Sequence, residues 1–376
     1  DHMGYNYMTY AQMPSALLLP FFILIMGPHL ILRKLAPAAA LHPTELVVIF
    51  TMGLIASMVP DWGMTRYLTA IITGPFYHAS PENRWAVTFY DTLPDWLVIT
   101  SSENVVRLFY EGAPPGYDIQ WLAWLSPLFW WMSCFVALLW TGACIIVIIR
   151  KQWVEHERLR FPMGEVAMNL MRIEKGAAHD EPPMVRTPMF RTGVILALSA
   201  VVWNIGSYWD VVSPIPIMAQ DYIPVEMYPR IPQISMGLNI FALCFAFFIN
   251  TEILFSVWFF LIFTTLQRGM MSMFGVTAST SMVPTGLVGT QSIGALIALV
   301  VWGLWMARNH LKDVARKAIG KASTLNDDEE LFSYRTAVIG LIIGMLYLLA
   351  WLYSIGMSLP VCIVFLAALF IIYLGM

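Results

Sequence analysis

Apolar runs of roughly twenty residues recur along this chain, and that repetition leaves few folds open to it. The runs at residues 13–32, 46–72, 121–149, 192–208, 234–266, 286–306, 337–353 and 359–372 carry almost no charge. About twenty apolar residues in a helix cross the ~30 Å hydrocarbon layer of a bilayer. Inside lipid every backbone N–H and C=O must be satisfied within the segment or a closed barrel, and runs this long satisfy it as helices. Composition agrees: 59% of the 376 residues are hydrophobic and 12% charged, against roughly 25% charged in a soluble domain, and mean hydropathy is +0.68. The expectation is an all-α, polytopic transmembrane helical bundle whose main partner is the lipid bilayer.

Cations set the expected orientation. They gather at Arg33 and Lys34, between Arg150 and Arg191, and between Arg308 and Lys321. Residues 74–120 and 210–233 carry few. Short cation-rich links stay in the cytoplasm, so links 150–191 and 307–334 are expected inside. The aromatic and acidic region 74–120 and residue 1 are then outside. The alternation holds only if residues 234–266 pass twice, turning at Asn250-Thr251-Glu252. Each arm is then about 15 residues, short for a full span, so a re-entrant hairpin is the alternative. This gives about nine crossings in one membrane domain, residues 1–376, with broken or re-entrant helices, in a bacterial cytoplasmic (inner) membrane. The chain starts at Asp1 and stops within an apolar run, and a longer natural chain is expected.

Ionisable groups at membrane depth are costly and mark candidate pathways. Asp61 and Arg66 lie in or just past the second run, beside Pro60-Asp61-Trp62-Gly63. Glu165 follows the Phe161-Pro162 break. Asn250 and Glu252 sit in the turn of the paired run, and Gln267 and Arg268 open a Gly/Ser/Thr-rich segment holding Thr277 and Ser279. Carriers bind solutes at helix breaks, where helix ends and unwound backbone act as ligands. Asp61, Arg66, Glu165, Asn250, Glu252, Gln267, Thr277 and Ser279 are therefore the expected substrate or ion path. The plainer reading makes Asp61 an interfacial residue, Glu165 a solvated first-turn acid, and Thr277 and Ser279 packing groups.

Enzyme chemistry has no foothold. HExxH, GxSxG and P-loop patterns are missing, and His29, His42, His78, His156, His179 and His310 are scattered. Cys134, Cys144, Cys244 and Cys362 sit in apolar runs without metal-ligand spacing and read as small buried hydrophobes. No metal, no cofactor and no catalytic residue is expected. A net charge of −3 gives no reason to expect a nucleic-acid partner. Gly340 and Gly344 form a GxxxG pair, the pattern of close helix contact.

The stretches HPTELVVIF, GLIASMVPDWGMTRYLTAIITGPFYHASPENRW, LPDWLVI, RKQWVEHERLRFPMGEVAMNLM and GMSLP resemble a group of uncharacterised bacterial multi-pass membrane proteins known as a domain of unknown function. More remotely, Leu159 to Glu165 is similar to a segment of the oligopeptide transporter superfamily, with Met163 and Glu165 where that motif has Ser and Thr. The resemblance implies a secondary transporter of a small polar solute, peptide or metal chelate, coupled to protons. The alternative is a non-transporting membrane subunit that scaffolds a larger complex or a homo-oligomer, docking through residues 74–120.

Overall fold

A computed structural model describes residues 15–36, 39–58, 67–99, 103–118, 120–159, 187–207, 209, 211–213, 215, 223–225, 231–237, 240–247, 249–275, 286–321, 325–328 and 330–375. In chain order the helices are α1 Ser15–Leu24, extended by a π-helical stretch Ile25–His29, then α2 Leu30–Leu35, α3 Pro43–Met58, α4 Leu68–Tyr77, α5 Trp85–Thr88 and α6 Glu103–Glu111. There follow α7 Trp121–Lys151 with a π turn Gln152–His156, α8 Pro188–Ser207, α9 Ile240–Phe247, α10 Thr251–Met273, α11 Gly286–Met306, α12 Arg308–Ala318, α13 Tyr334–Ser354 and α14 Leu359–Gly375. One antiparallel ribbon pairs β1 Ile223–Val225 with β2 Ile234–Met236.

Among the described residues the fold is all-α apart from that ribbon. Five helical segments among them are long and apolar enough to cross a membrane: Trp121–His156, Pro188–Ser207, Thr251–Met273, Gly289–Met306 and Tyr334–Ser354. The remaining apolar helices are shorter, Leu359–Gly375 among them. Within the run 46–72 the described residues form α3 up to Met58 and α4 from Leu68, and residues 59–66 lie outside the described residues. The run 234–266 does break at Asn250, as its sequence suggests, but not into equal arms. The first arm is the eight-residue α9 and the second the 23-residue α10. Ser235 and its neighbours have gone into the ribbon, which shortens the first arm to about 12 Å at 1.5 Å per residue.

The chain divides into two compact units. The first, residues 1–17, 53–160 and 295–376, is built on α7 against α13. At 31 residues, α7 is about 46 Å long. That exceeds the ~30 Å hydrocarbon layer and carries Arg150 and Lys151 beyond it. The seam with α13 is close because Gly340 and Gly344 present no side chain. A Cβ on Gly340 would lie 2.9 Å from Cys144 Sγ, and one on Gly344 would collide with Thr141 Oγ1. Indole and phenol groups bond across the seam: Trp140 Nε1 donates to Gly340 O at 3.2 Å and Trp351 Nε1 to Trp130 O at 3.2 Å, and the Tyr347 hydroxyl donates to Ser133 Oγ at 2.6 Å. Ser333 caps α13 by accepting the Thr336 N–H at 3.2 Å, and Gly356 at φ 103° lets the chain leave the other end, as helix C-termini favour.

The cation-poor segment of this unit folds back on the tryptophan-rich part of α7. Trp96 meets Trp130 and Trp351 edge-on, Trp131 Nε1 donates to Leu97 O at 3.1 Å, and Leu97 and Val98 are buried. Tyr77 of α4 stacks on Tyr110 of α6 with centroids 4.0 Å apart.

The second unit comprises residues 18–52 and 161–294. Phe21 packs on Phe50 at 5.0 Å, and Phe22 faces Phe190 of α8 at 6.2 Å. Asn204 brackets Ile215 with two backbone hydrogen bonds of 2.8 and 2.9 Å. Ile231 lies over Gly269 of α10, where a Cβ would meet it at 2.8 Å. Otherwise α8 and α10 expose their apolar flanks.

Candidate functional site

Of the residues expected to line a path, Asp61, Arg66, Glu165, Thr277 and Ser279 lie outside the described residues. The others fall on α10. Asn250 is its N-cap, extended at φ −59° and ψ 138°, and its carbonyl accepts the Ile253 and Leu254 N–H groups. Its side chain makes no cap bond, and both Asn250 and Glu252 are exposed. Glu252 in the first turn suits the helix dipole. Gln267 is half-buried, with Oε1 buried and unpartnered, and Arg268 is exposed. Fifteen residues separate Glu252 from Gln267, about 22 Å along one helix. The structure therefore puts these groups at opposite ends of a span and not in one cluster.

The densest polar constellation is elsewhere, at the basic end of α7. There the hydrogen-bond register changes: the Gln152 N–H turns back only three residues, to Ile149 O, and the wider π turn follows. His310 of α12 reaches across to Ile148 O with Nε2 at 2.8 Å. A carbonyl can only accept, so Nε2 carries the proton. Arg150 grips Glu330 with two parallel bonds, Nε to Oε2 and Nη2 to Oε1, both 2.9 Å. The Glu330 side chain is 1% exposed and that of Arg150 40%. Fork-on-fork geometry of this kind is strong and directional.

Two lysines hold the connector that leads to Glu330. Lys151, 9% exposed, donates to Asn326 O. Lys317 of α12 donates to Leu325 O and Asp327 Oδ1, both at 2.6 Å. Asp327 Oδ2 accepts the Tyr334 N–H at 3.2 Å, which satisfies a free donor in the first turn of α13. The Lys317 hydrogen bond holds the Asp327 carboxyl below its ordinary value, with burial opposing. The sum is an electrostatic clasp: residues 325–327 and Glu330 are fastened across the ends of three helices. It has no nucleophile paired with a base. Among the described residues no group of three His, Cys, Asp or Glu side chains could hold a metal ion.

A second feature is an open groove of about 520 Å³ along α7 and α13, walled by Phe129, Val136, Trp140, Ile343 and Tyr347. Its polar groups, Ser133 and Tyr347, are bonded to each other, so it suits hydrocarbon and offers a polar solute nothing.

A family model described as a family of unknown function, DUF6785, matches residues 2–376. The chain belongs to that family. Neither a curated protein nor a solved structure matches this DUF6785 chain. Sequence reasoning about it missed the clasp: Arg150 served only to set orientation, and His310 read as scattered. The available signal was opposite charge in two links assigned to the same side.

Proposed function

We propose that the chain is a secondary transporter of a small polar solute, with its solute and ion path at the helix break Asn250–Glu252. The observation that supports this is the break itself. An apolar eight-residue helix, α9, is too short to cross ~30 Å of hydrocarbon. It stops at a polar cap, where the N-terminus of α10 presents free N–H groups beside an exposed acid. Half-helices ending at polar groups are how carriers make solute and ion sites in membranes. Peptides or metal chelates, proton coupling, about nine crossings and a bacterial inner membrane complete the reading, on the strength of the family resemblance and the cation pattern. Asp61, Arg66, Glu165, Gln267, Thr277 and Ser279 belong to the same proposed path.

The test is uptake of labelled dialanine, and separately of ferric citrate, into proteoliposomes of the purified full chain under an inward proton gradient. Uptake above protein-free vesicles, reduced at least about tenfold by Glu252→Gln in folded protein, is the expected result. Rates equal to empty vesicles for both solutes, or full activity in Glu252→Gln, overturn it.

One observation favours a second reading, a membrane subunit that packs against other chains. No residue of α8 is buried, and α10 lines up Phe255, Phe259 and Phe263 as an exposed stacked ladder. Cross-linking from position 259 to a second protein, with no uptake, selects this reading.

A further inference from the structure

The clasp contains two polar atoms with no hydrogen-bond partner: His310 Nδ1 and the Tyr334 hydroxyl. Both residues are deeply buried, at 6% and 0% exposure. Their rings meet edge to face with centroids 6.2 Å apart. A buried polar group left unmatched carries the full cost of its desolvation, and two of them on rings in contact point to a shared ligand.

The chemistry of that ligand follows from the neighbours. His310 Nε2 is committed as donor to Ile148 O, so a neutral ring offers Nδ1 as an acceptor. The Tyr334 hydroxyl both donates and accepts. Arg150, Lys151 and Lys317 face the junction, and so do Asp327, Glu330 and Glu155. Three cations against three carboxylates give a metal or ammonium ion no net attraction. Asp327, Glu330 and the Ile148 carbonyl are already bonded. What fits is a small neutral molecule that donates to Nδ1 and bonds the phenol.

We propose that His310 Nδ1 and the Tyr334 hydroxyl form a buried binding site for one water molecule. A polar niche with two or more partners is where ordered internal waters reside. The π turn belongs to the device, since the Gln152 N–H bonds Ile149 O there and His310 occupies Ile148 O. The route for exchange is through His156, which is exposed and lies 6.2 Å from the His310 ring. The water completes the clasp by joining α12 to α13 beside the Arg150–Glu330 pair. The site is independent of the carrier reading and survives its failure.

The sign of one substitution decides the matter. Tyr334→Phe, in the full chain in lipid nanodiscs, removes only the hydroxyl. If that hydroxyl is bonded to a water, the variant melts several degrees below wild type, because the water loses a partner. If it is an orphan, its removal is neutral or raises the melting temperature, and the proposal is overturned. A second measurement covers a variant that fails to fold. In wild-type chain labelled with ¹⁵N-histidine, water-edited solid-state NMR should carry magnetisation rapidly from water to His310 Nδ1, the resonance being assigned by its loss in His310→Gln. A dry Nδ1, receiving magnetisation no faster than the buried His29, refutes the site.

Discussion

Gly344→Ala adds one methyl group to the close seam between α7 and α13, and its cost can be worked out from the neighbours. The new Cβ falls on Thr141 Oγ1, with Trp140 Cδ1 3.6 Å away on the other side. Thr141 cannot easily retreat: it is 0% exposed, and its hydroxyl donates to Ala137 O at 2.7 Å. Overpacking costs about 1–3 kcal/mol, and disturbing the hydroxyl bond adds about 1 kcal/mol. Against this stands the gain of about 1 kcal/mol for replacing glycine in a helix interior. The net expectation is a loss of about 2 kcal/mol. Gly303→Ala is the control, since a Cβ there meets nothing within 4 Å and only the propensity gain remains. Thr141→Ala combined with Gly344→Ala clears the space and should recover at least half the loss. Thermal unfolding in detergent, followed by tryptophan fluorescence, reads all five proteins: wild type, Gly344→Ala, Gly303→Ala, Thr141→Ala and the double variant. A Gly344→Ala variant as stable as wild type, or a double variant as weak as the sum of the singles, refutes the seam as described.

Three further outcomes follow from the clasp and the cap. Arg150→Met strands a carboxylate that is 1% exposed and should cost about 3 kcal/mol, the low end for a broken buried pair, because water reaches the arginine; chemical denaturation of the variant measures it. The Asp327 carboxyl has a folded pKa below its ordinary 3.8. It therefore stabilises the fold above that value and gives the contribution up as pH falls through the lowered folded value. Wild type should lose melting temperature more steeply than Asp327→Asn between about pH 4.5 and about pH 3, and parallel curves would contradict this. Ser333→Ala removes the oxygen that accepts the Thr336 N–H and should cost about 1 kcal/mol, with Ser333→Asp close to wild type in the same melt.

What the sequence made legible is what depends on local order. Hydrophobic length gave an all-α membrane chain, the Gly340/Gly344 spacing marked a close helix contact, and Asn250-Thr251-Glu252 located a helix break. Each is written within a few residues. The inequality of the two arms around Asn250 was not, because Ile234–Met236 pairs with Ile223–Val225, a choice set by a partner strand. The clasp was invisible for the same reason at larger scale. Arg150 and Glu330 are 180 residues apart, and charge alone cannot say which acid in a run meets which base. The candidate path was drawn from polar residues at supposed membrane depth. The members that the structure describes lie at the two ends of α10, because a helix separates in space what a list of residues places together.

The Arg150–Glu330 bond also imposes an order on biogenesis. Arg150 leaves the ribosome 180 residues ahead of its counter-ion. At synthesis rates of about 5–20 residues per second it waits roughly 9–36 s. Throughout that interval the end of α7 is bare and cationic, available to anionic headgroups or to an insertion factor. α12 and the connector to Glu330 then arrive and supply its partners.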